Sequence, residues 1–301
     1  MTPKILVFGE IIWDLYPDKK HIGGAGLNFA AHCAKCGCES YILSAVGRDD
    51  LAEQAIQSAE GFGVNTEFII QNDMESGQCI VTLDKNAIPS YNVLRDVAYD
   101  NIVLSKSDIE TIKQKQFDAL YFGTLIQRSM ISRDTLHFLV NNCVFREKIC
   151  DVNLREGCFD SDSVKFCLEN ATILKISDEE EPALRKFGYY TPKNNTPEEI
   201  ALAICESFSQ IKHLIITLGG KGAFVYCAGE KRSFYKPTRK VKVASTVGAG
   251  DSFIAAFASA FLSGYSPEKA TERAINLSGY VVSRSDAIPD YTFDGDILYE
   301  R

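Results

Sequence analysis

The stretch Ser245-Thr246-Val247-Gly248-Ala249-Gly250-Asp251 joins residue types and spacing that can do chemistry, and an apolar, helix-like run (Phe253, Ile254, Phe257, Phe261, Leu262) follows at once. Two glycines around a small residue let the backbone turn closely about a ligand. The first N–H groups of the following helix, unpaired within it, open at the same place. Free backbone donors and the positive end of a helix dipole make a site for anionic oxygen, phosphate above all. A carboxylate beside such a cradle repels phosphate unless it has a task there. Accepting a proton from a hydroxyl that attacks phosphorus is the task that fits Asp251. The plainer alternative is a helix start with an aspartate favoured by the dipole. Phosphoryl transfer to an alcohol is the expectation.

The elements that must hold this turn read as an α/β chain. Ile5-Leu6-Val7-Phe8-Gly9 has the look of a buried first strand, and Asp14 lies just past its carboxyl end, where open α/β sheets bind ligands. A turn aspartate before Pro17 is the alternative for Asp14. Gly23-Gly24-Ala25-Gly26 then bends into a helix carrying Asn28, either a cap or a donor and acceptor for substrate. Strand and helix patterns follow at Tyr41–Val46, Leu51–Phe62 and Val64–Ile70. The pattern changes over Gln78–Tyr99, where Cys79–Leu83 and Tyr91–Leu94 read as a hairpin joined by a turn from Asp84 to Pro89. Such a flap could cover a site or pair with another subunit. From Phe117 the alternation is regular: strands at 119–122, 148–152, 171–175 and 214–218, helices near 132–143, 161–168 and 197–208. That spacing means a parallel sheet wrapped on both faces, in one domain over 1–301 with the flap near 78–100 inserted in it. Polar residues cluster after the strands, among them Asn153, Arg155, Ser177 to Glu181, Thr217 and Gly219, where this architecture builds sites.

Bulk properties narrow the class. The 301 residues carry a formal charge of −8, which argues against nucleic acid or an anionic membrane as the main partner. No apolar run approaches the ~20 residues of a membrane span, and the start lacks a signal-peptide pattern, so a cytoplasmic protein is expected. Ten cysteines then read as reduced thiols. In the cluster Cys33, Cys36 and Cys38, Cys33 falls at helical spacing among Phe29, Ala30 and Ala34, and Gly37 ends that helix, so the cluster reads as packing, not a metal or redox site. There is no G-x-x-x-x-G-K-[ST] loop and no G-x-S-x-G turn. The acidic run Asp178–Glu181 reads either as a helix start capped by Ser177 or as a source of one carboxylate that holds Mg²⁺ through water.

These motifs resemble the ribokinase-like (PfkB-type) carbohydrate kinases, most of all bacterial fructokinases, over essentially the whole chain. Gly23-Gly24 through Asn28 matches the amino-terminal signature and Thr246-x-Gly248-Ala249-Gly250-Asp251 the carboxyl-terminal one. Asp151-Val152-Asn153-Leu154-Arg155, Leu174-Lys175 with Glu180, and Thr217-Leu218-Gly219 follow in the family's order. The resemblance implies a ribokinase-like fold with a small antiparallel lid from segments near 10–25 and 78–100, ATP as the phosphate source with Mg²⁺ as its metal, and a homodimer joined through the lid. It makes Asp251 the base and the backbone of Gly248, Ala249 and Gly250 the anion hole. Asp14, Gly24 and Asn28 would grip the sugar, with Arg155 near the transferred phosphate or the acceptor. Trp13, Tyr91 and Tyr99 would close over it. Glu180 would organise water around Mg²⁺, while Thr217, Gly219, Gly222 and Asn276 would line the nucleotide pocket. The acceptor implied is a hexose, fructose first; 2-keto-3-deoxygluconate, ribose or a nucleoside are the alternatives, and a catalytically silent sugar sensor or scaffold is the reading from another class. The chain departs from the family at three points. Ser245 stands where Asp is usual and leaves potassium activation unsupported, Ser177 replaces an Asn, and Asp286 stands where Gly is common.

Overall fold

Short runs that are apolar at nearly every position need cover on both faces, and Lys4–Phe8 (KILVF) and Ala119–Phe122 (ALYF) accordingly lie in the middle of a covered sheet. The computed structural model describes residues 2–83, 89–294 and 297–300. Its strands are β1 (Lys4–Phe8), β2 (Ile12–Leu15), β3 (Lys20–Gly23), β4 (Glu39–Val46), β5 (Asn65–Gln71), β6 (Gln78–Leu83), β7 (Pro89–Val93), β8 (Ala119–Phe122), β9 (Glu147–Asp151), β10 (Ile173–Ser177), β11 (His213–Thr217), β12 (Gly222–Cys227), β13 (Arg232–Pro237), β14 (Tyr291–Asp294) and β15 (Ile297–Glu300). The helices are α1 (Ala25–Lys35), α2 (Asp50–Gly61), α3 (Lys106–Lys115), α4 (Met130–Asn142), α5 (Ser161–Asn170), α6 (Glu181–Arg185), α7 (Pro197–Ser207), α8 (Ala249–Leu262) and α9 (Pro267–Val281). The expected turn between β6 and β7 falls on residues 84–88, outside the described residues.

The main sheet runs β13-β12-β11-β10-β9-β8-β1-β4-β5. It is parallel from β11 to β5 and antiparallel only at the β11/β12 and β12/β13 edge. Alternate residues feed two apolar layers: Leu6 and Phe8 face one, Ile5 and Val7 the other. The second layer is roofed by α1, α8 and α9 through Leu27, Phe29, Phe253, Phe257 and Ala274, which sets the two glycine-led helices, α1 and α8, against each other.

A second sheet, β3-β2-β6-β7, forms the lid. It is antiparallel at β2/β3 and β6/β7, while β2 and β6 pair in parallel because both leave the body in the same direction. Their roots are clamped: the Trp13 amide donates to the Gly77 carbonyl at 2.8 Å. A Cβ at residue 77 would lie 2.4 Å from the Ile11 carbonyl oxygen and 2.7 Å from the Tyr99 ring.

Several expectations shift. The strand expected at 171–175 is β10, two residues later, because Ala171 caps the end of α5. The acidic run is a turn over 178–180 leading into the five-residue α6. Cys33 lies on the buried face of α1, the ten cysteines are free, and burial pushes the thiols of Cys33, Cys36 and Cys38 up, as packing requires. Among the described residues no helix is long and apolar enough to cross a membrane.

Candidate active site

The cradle forms where the chain enters α8. Gly248 holds φ 78°, the left-handed region, and a Cβ there would lie 2.8 Å from the Ala287 carbonyl oxygen. The Ser252 amide makes the first helical bond, to Gly248 at 2.9 Å, and the Ala249 amide turns back to Thr246 at 3.3 Å. The amides of Gly248, Gly250 and Asp251 have no acceptor among the described residues. Three open donors at a helix start suit an anionic oxygen. Asp251 contributes one of them, while that of Ala249 is already engaged.

Asp251 is buried, and the Asn28 amide nitrogen donates to its Oδ2 at 2.8 Å. Asn28 lies one turn inside α1, its own amide bonded to the Gly24 carbonyl, so it does not cap that helix. The N-terminus of α1 is satisfied instead by Glu10, whose Oε1 accepts from the Ala25 amide at 2.7 Å. Asn28 Oδ1 is buried with no partner among the described residues. A lone buried acceptor beside a carboxylate invites a hydroxyl. Burial raises the Asp251 carboxyl above its ordinary range, opposed by the Asn28 hydrogen bond and the charges of Lys175 and Arg155, with Glu180 adding to the rise.

On the lid side, Asp14 stands in β2 opposite His21 of β3 and Cys79 of β6, so it is a strand residue and not a turn aspartate. Burial raises its carboxyl, opposed by a hydrogen bond with Cys79 and by the charges of Arg155 and His21. The Arg155 side chain is exposed, has no hydrogen-bond or ion-pair partner among the described residues, and acts on both Asp14 and Asp251. Two of the expected aromatic covers are placed elsewhere. The Trp13 indole donates to the Leu51 carbonyl at 3.1 Å and packs the lid root onto the body. Tyr99 is wholly buried beneath the lid, with the Arg128 guanidinium 4.8 Å from its ring centroid and its hydroxyl without a partner among the described residues. Their aromatic area goes to the core because both sit at the roots of the lid. Tyr91, 49% exposed, remains on the lid surface.

Among the residues expected to face the nucleotide, Glu180 ties two strand ends together. Its Oε1 accepts from the Leu154 amide, and its Oε2 accepts from both the amide and the hydroxyl of Ser177, each at 2.8 Å. Ser177 Oγ accepts in return from the Glu180 amide, so the Ser in place of Asn still fixes this carboxylate. An ionised carboxylate can accept about four such bonds, and Glu180 uses three. That leaves capacity for a water on Mg²⁺, which is typically held by one or two carboxylates plus substrate phosphate. Thr217 ends β11 beside Ser177. Gly219 holds φ 54° in the turn that follows. Gly222 begins β12, where a Cβ would lie 2.1 Å from the Lys236 carbonyl oxygen, so its bareness serves strand packing. Asn276 is half-buried on α9. Ser245 Oγ accepts from the Val247 amide at 3.2 Å, and Asp286 approaches the lid residue His21 at 3.9 Å.

Two buried groups were given no role by the sequence although both interrupt apolar runs. His32, inside the apolar α1, bonds Tyr291 through Nδ1 at 2.7 Å and the Ala287 carbonyl through Nε2 at 2.9 Å. Ala287 is the residue against which Gly248 packs. Lys175, the one charge in ILKIS, reaches both oxygens of Asp151 at 2.8 Å.

The sequence matches the pfkB family carbohydrate kinase profile over residues 3–292. An ATP-dependent 6-phosphofructokinase of Thermoanaerobacterium thermosaccharolyticum is 27% identical, covering 95% of this chain and 90% of its own. A probable fructokinase of Arabidopsis thaliana is 26% identical over 85% and 82%. Among solved structures, a Pyrococcus horikoshii sugar kinase in complex with ATP superposes with TM-score 0.75 at 25% identity, over 94% of both chains. A Vibrio cholerae fructokinase with fructose, ADP and calcium superposes with TM-score 0.80 at 22% identity, over 95% of both, and shows the fold. With the family profile spanning nearly its full length and the glycine cradle and its carboxylate in place, this chain belongs to the pfkB family of carbohydrate kinases.

Proposed function

We propose that this kinase transfers the γ-phosphate of ATP to a hydroxyl of a free hexose, fructose first. The observation that carries the reading is Asn28: its nitrogen holds Asp251 while its buried oxygen lacks a partner, beside the open amides at the start of α8. A sugar hydroxyl seated there gives its proton to Asp251 as its oxygen bonds to the γ-phosphorus. The bond from phosphorus to the bridging oxygen breaks and ADP leaves. The amides of Gly248, Gly250 and Asp251 receive the charge on the transferring oxygens, with the Arg155 guanidinium nearby. Mg²⁺ supplies charge neutralisation on the polyphosphate, and Glu180 would hold it through water. Thr217, Gly219 and Asn276 border the nucleotide, and Asp14 and Gly24 grip further hydroxyls.

A free sugar is favoured over a phosphorylated one because the groups acting on Asp14 are a thiol, a histidine and a single guanidinium, with a tyrosine pair, Tyr16 and Tyr91, beside it. A carboxylate in that setting suits neutral hydroxyls and repels a second phosphate. The edges of the lid sheet, β3 and β7, offer strand pairing to a second copy, which supports a homodimer. Ten free thiols accord with the cytoplasm. ADP release measured with fructose, ribose, 2-keto-3-deoxygluconate, a nucleoside and fructose 6-phosphate tests the acceptor. Fructose is expected to give the highest kcat/KM; a tenfold preference for any other member of the panel refutes the assignment.

A further inference from the structure

One buried cation in the site has no part in the chemistry so far. β9 and β10 run parallel with Asp151 and Lys175 as register partners, so both side chains leave the sheet on the same face. Their side chains are only 1% and 6% exposed. Burying an ion pair costs several kcal/mol per ion, and apolar replacements of similar volume are often as stable, so the fold alone does not call for this pair. Its place does. Lys175 Nζ lies 3.2 Å from where a Cβ of residue 250 would be, with Asp151 Oδ2 at 3.9 Å. The ammonium therefore abuts the backbone that carries the open amides of the cradle, and any side chain at 250 would press on it.

The groups acting on Asp251 or sharing its field are the carboxylates of Glu10, Asp151 and Glu180, the Tyr121 phenol, and the cations Lys175 and Arg155. Arg155 is exposed and screened by solvent. Lys175 acts through a medium of low dielectric, where a fixed charge counts for far more. We propose that Lys175 is a positioning residue for phosphoryl transfer: an internal cation, moored by Asp151, that offsets the carboxylates crowding Asp251 and adds positive potential behind the amides of Gly250 and Asp251. This rests on the reading of Asp251 as the base.

The test is the double variant Lys175→Met/Asp151→Asn, which removes both charges without stranding either. We expect it to fold with a melting temperature near the parent's and to keep KM for sugar and ATP within about threefold. Its kcat should fall about 10²-fold, the scale of losing one preorganised electrostatic group. The acid limb of its pH–rate profile should move to higher pH, since a cation favouring the ionised base is gone. A folded double variant with parental kcat and an unmoved acid limb overturns the proposal. Should the double variant not fold, Asp151→Asn alone retains an acceptor for Lys175 and leaves its charge unopposed. Its acid limb should then move to lower pH, and a limb that stays or rises overturns the proposal. A parent silent towards every acceptor overturns the functional reading and this inference with it, whereas an active parent with an unaffected double variant overturns this inference alone.

Discussion

The cradle end and the lid end of this site are built differently. At the cradle, Asp251, Asn28, Asp151 and Lys175 are all buried; Asn28 of α1 holds Asp251 of α8, and Lys175 of β10 holds Asp151 of β9, each at 2.8 Å. At the lid, a thin four-stranded sheet carries Asp14 in β2, with Tyr91 half in solvent and His21 reaching Asp286 only at 3.9 Å. The contrast separates two demands. Charge stabilisation in a transition state needs dipoles fixed in advance, which a packed core provides. Admitting, enclosing and releasing a sugar needs a cover that moves, which a sparsely buried sheet provides.

Substitutions that break the cradle should strike turnover, and those in the lid should strike affinity. Asp251→Ala is expected to lower kcat by about 10²–10⁴ while ATP binding by calorimetry survives; unchanged turnover would remove the base from the mechanism. The cradle also has an acid weakness through His32. Burial lowers its pKa from the ordinary 6.5 to about 4, so the folded protein keeps it neutral while the unfolded chain protonates it. Stability is therefore lost as pH falls from 6.5 towards 4, by roughly 3 kcal/mol in total. Melting curves across that range should show a steep decline that His32→Gln flattens, and equal slopes in the two proteins would exclude His32 as its source. Asp14→Asn should raise the sugar KM about tenfold with kcat little changed, the loss of one charged hydrogen bond felt equally in ground and transition state. A fall in kcat alone would move Asp14 from grip to chemistry and erase the distinction between the ends.

Much of this was legible in the chain. The strand–helix rhythm, the glycine turns before α1 and α8, and the strand-end polar residues follow from local pattern. What stayed hidden depends on distant packing. Helix α3 starts at a Ser105–Asp108 capping box and ends at Gln116 in the left-handed region, and it buries only Ile112, so it shows no apolar stripe. The aromatic rings of Trp13 and Tyr99 promised sugar contacts, but their burial is set by where β2 and the 98–101 turn meet the body. The partnership of Lys175 with Asp151, 24 residues apart, arises from the register of β9 against β10. A lysine in an apolar strand signals that a partner must exist, without saying which.

Where the lid leaves the body, Gly77 is pressed between the Ile11 carbonyl and the Tyr99 ring. Because β2 and β6 are bonded side by side from this point, whatever tilts one strand tilts the other, and the cover swings as a single plate. The resting angle of that plate is dictated by a missing methyl group: adding one at residue 77 would lever the whole cover off the body without touching the cradle.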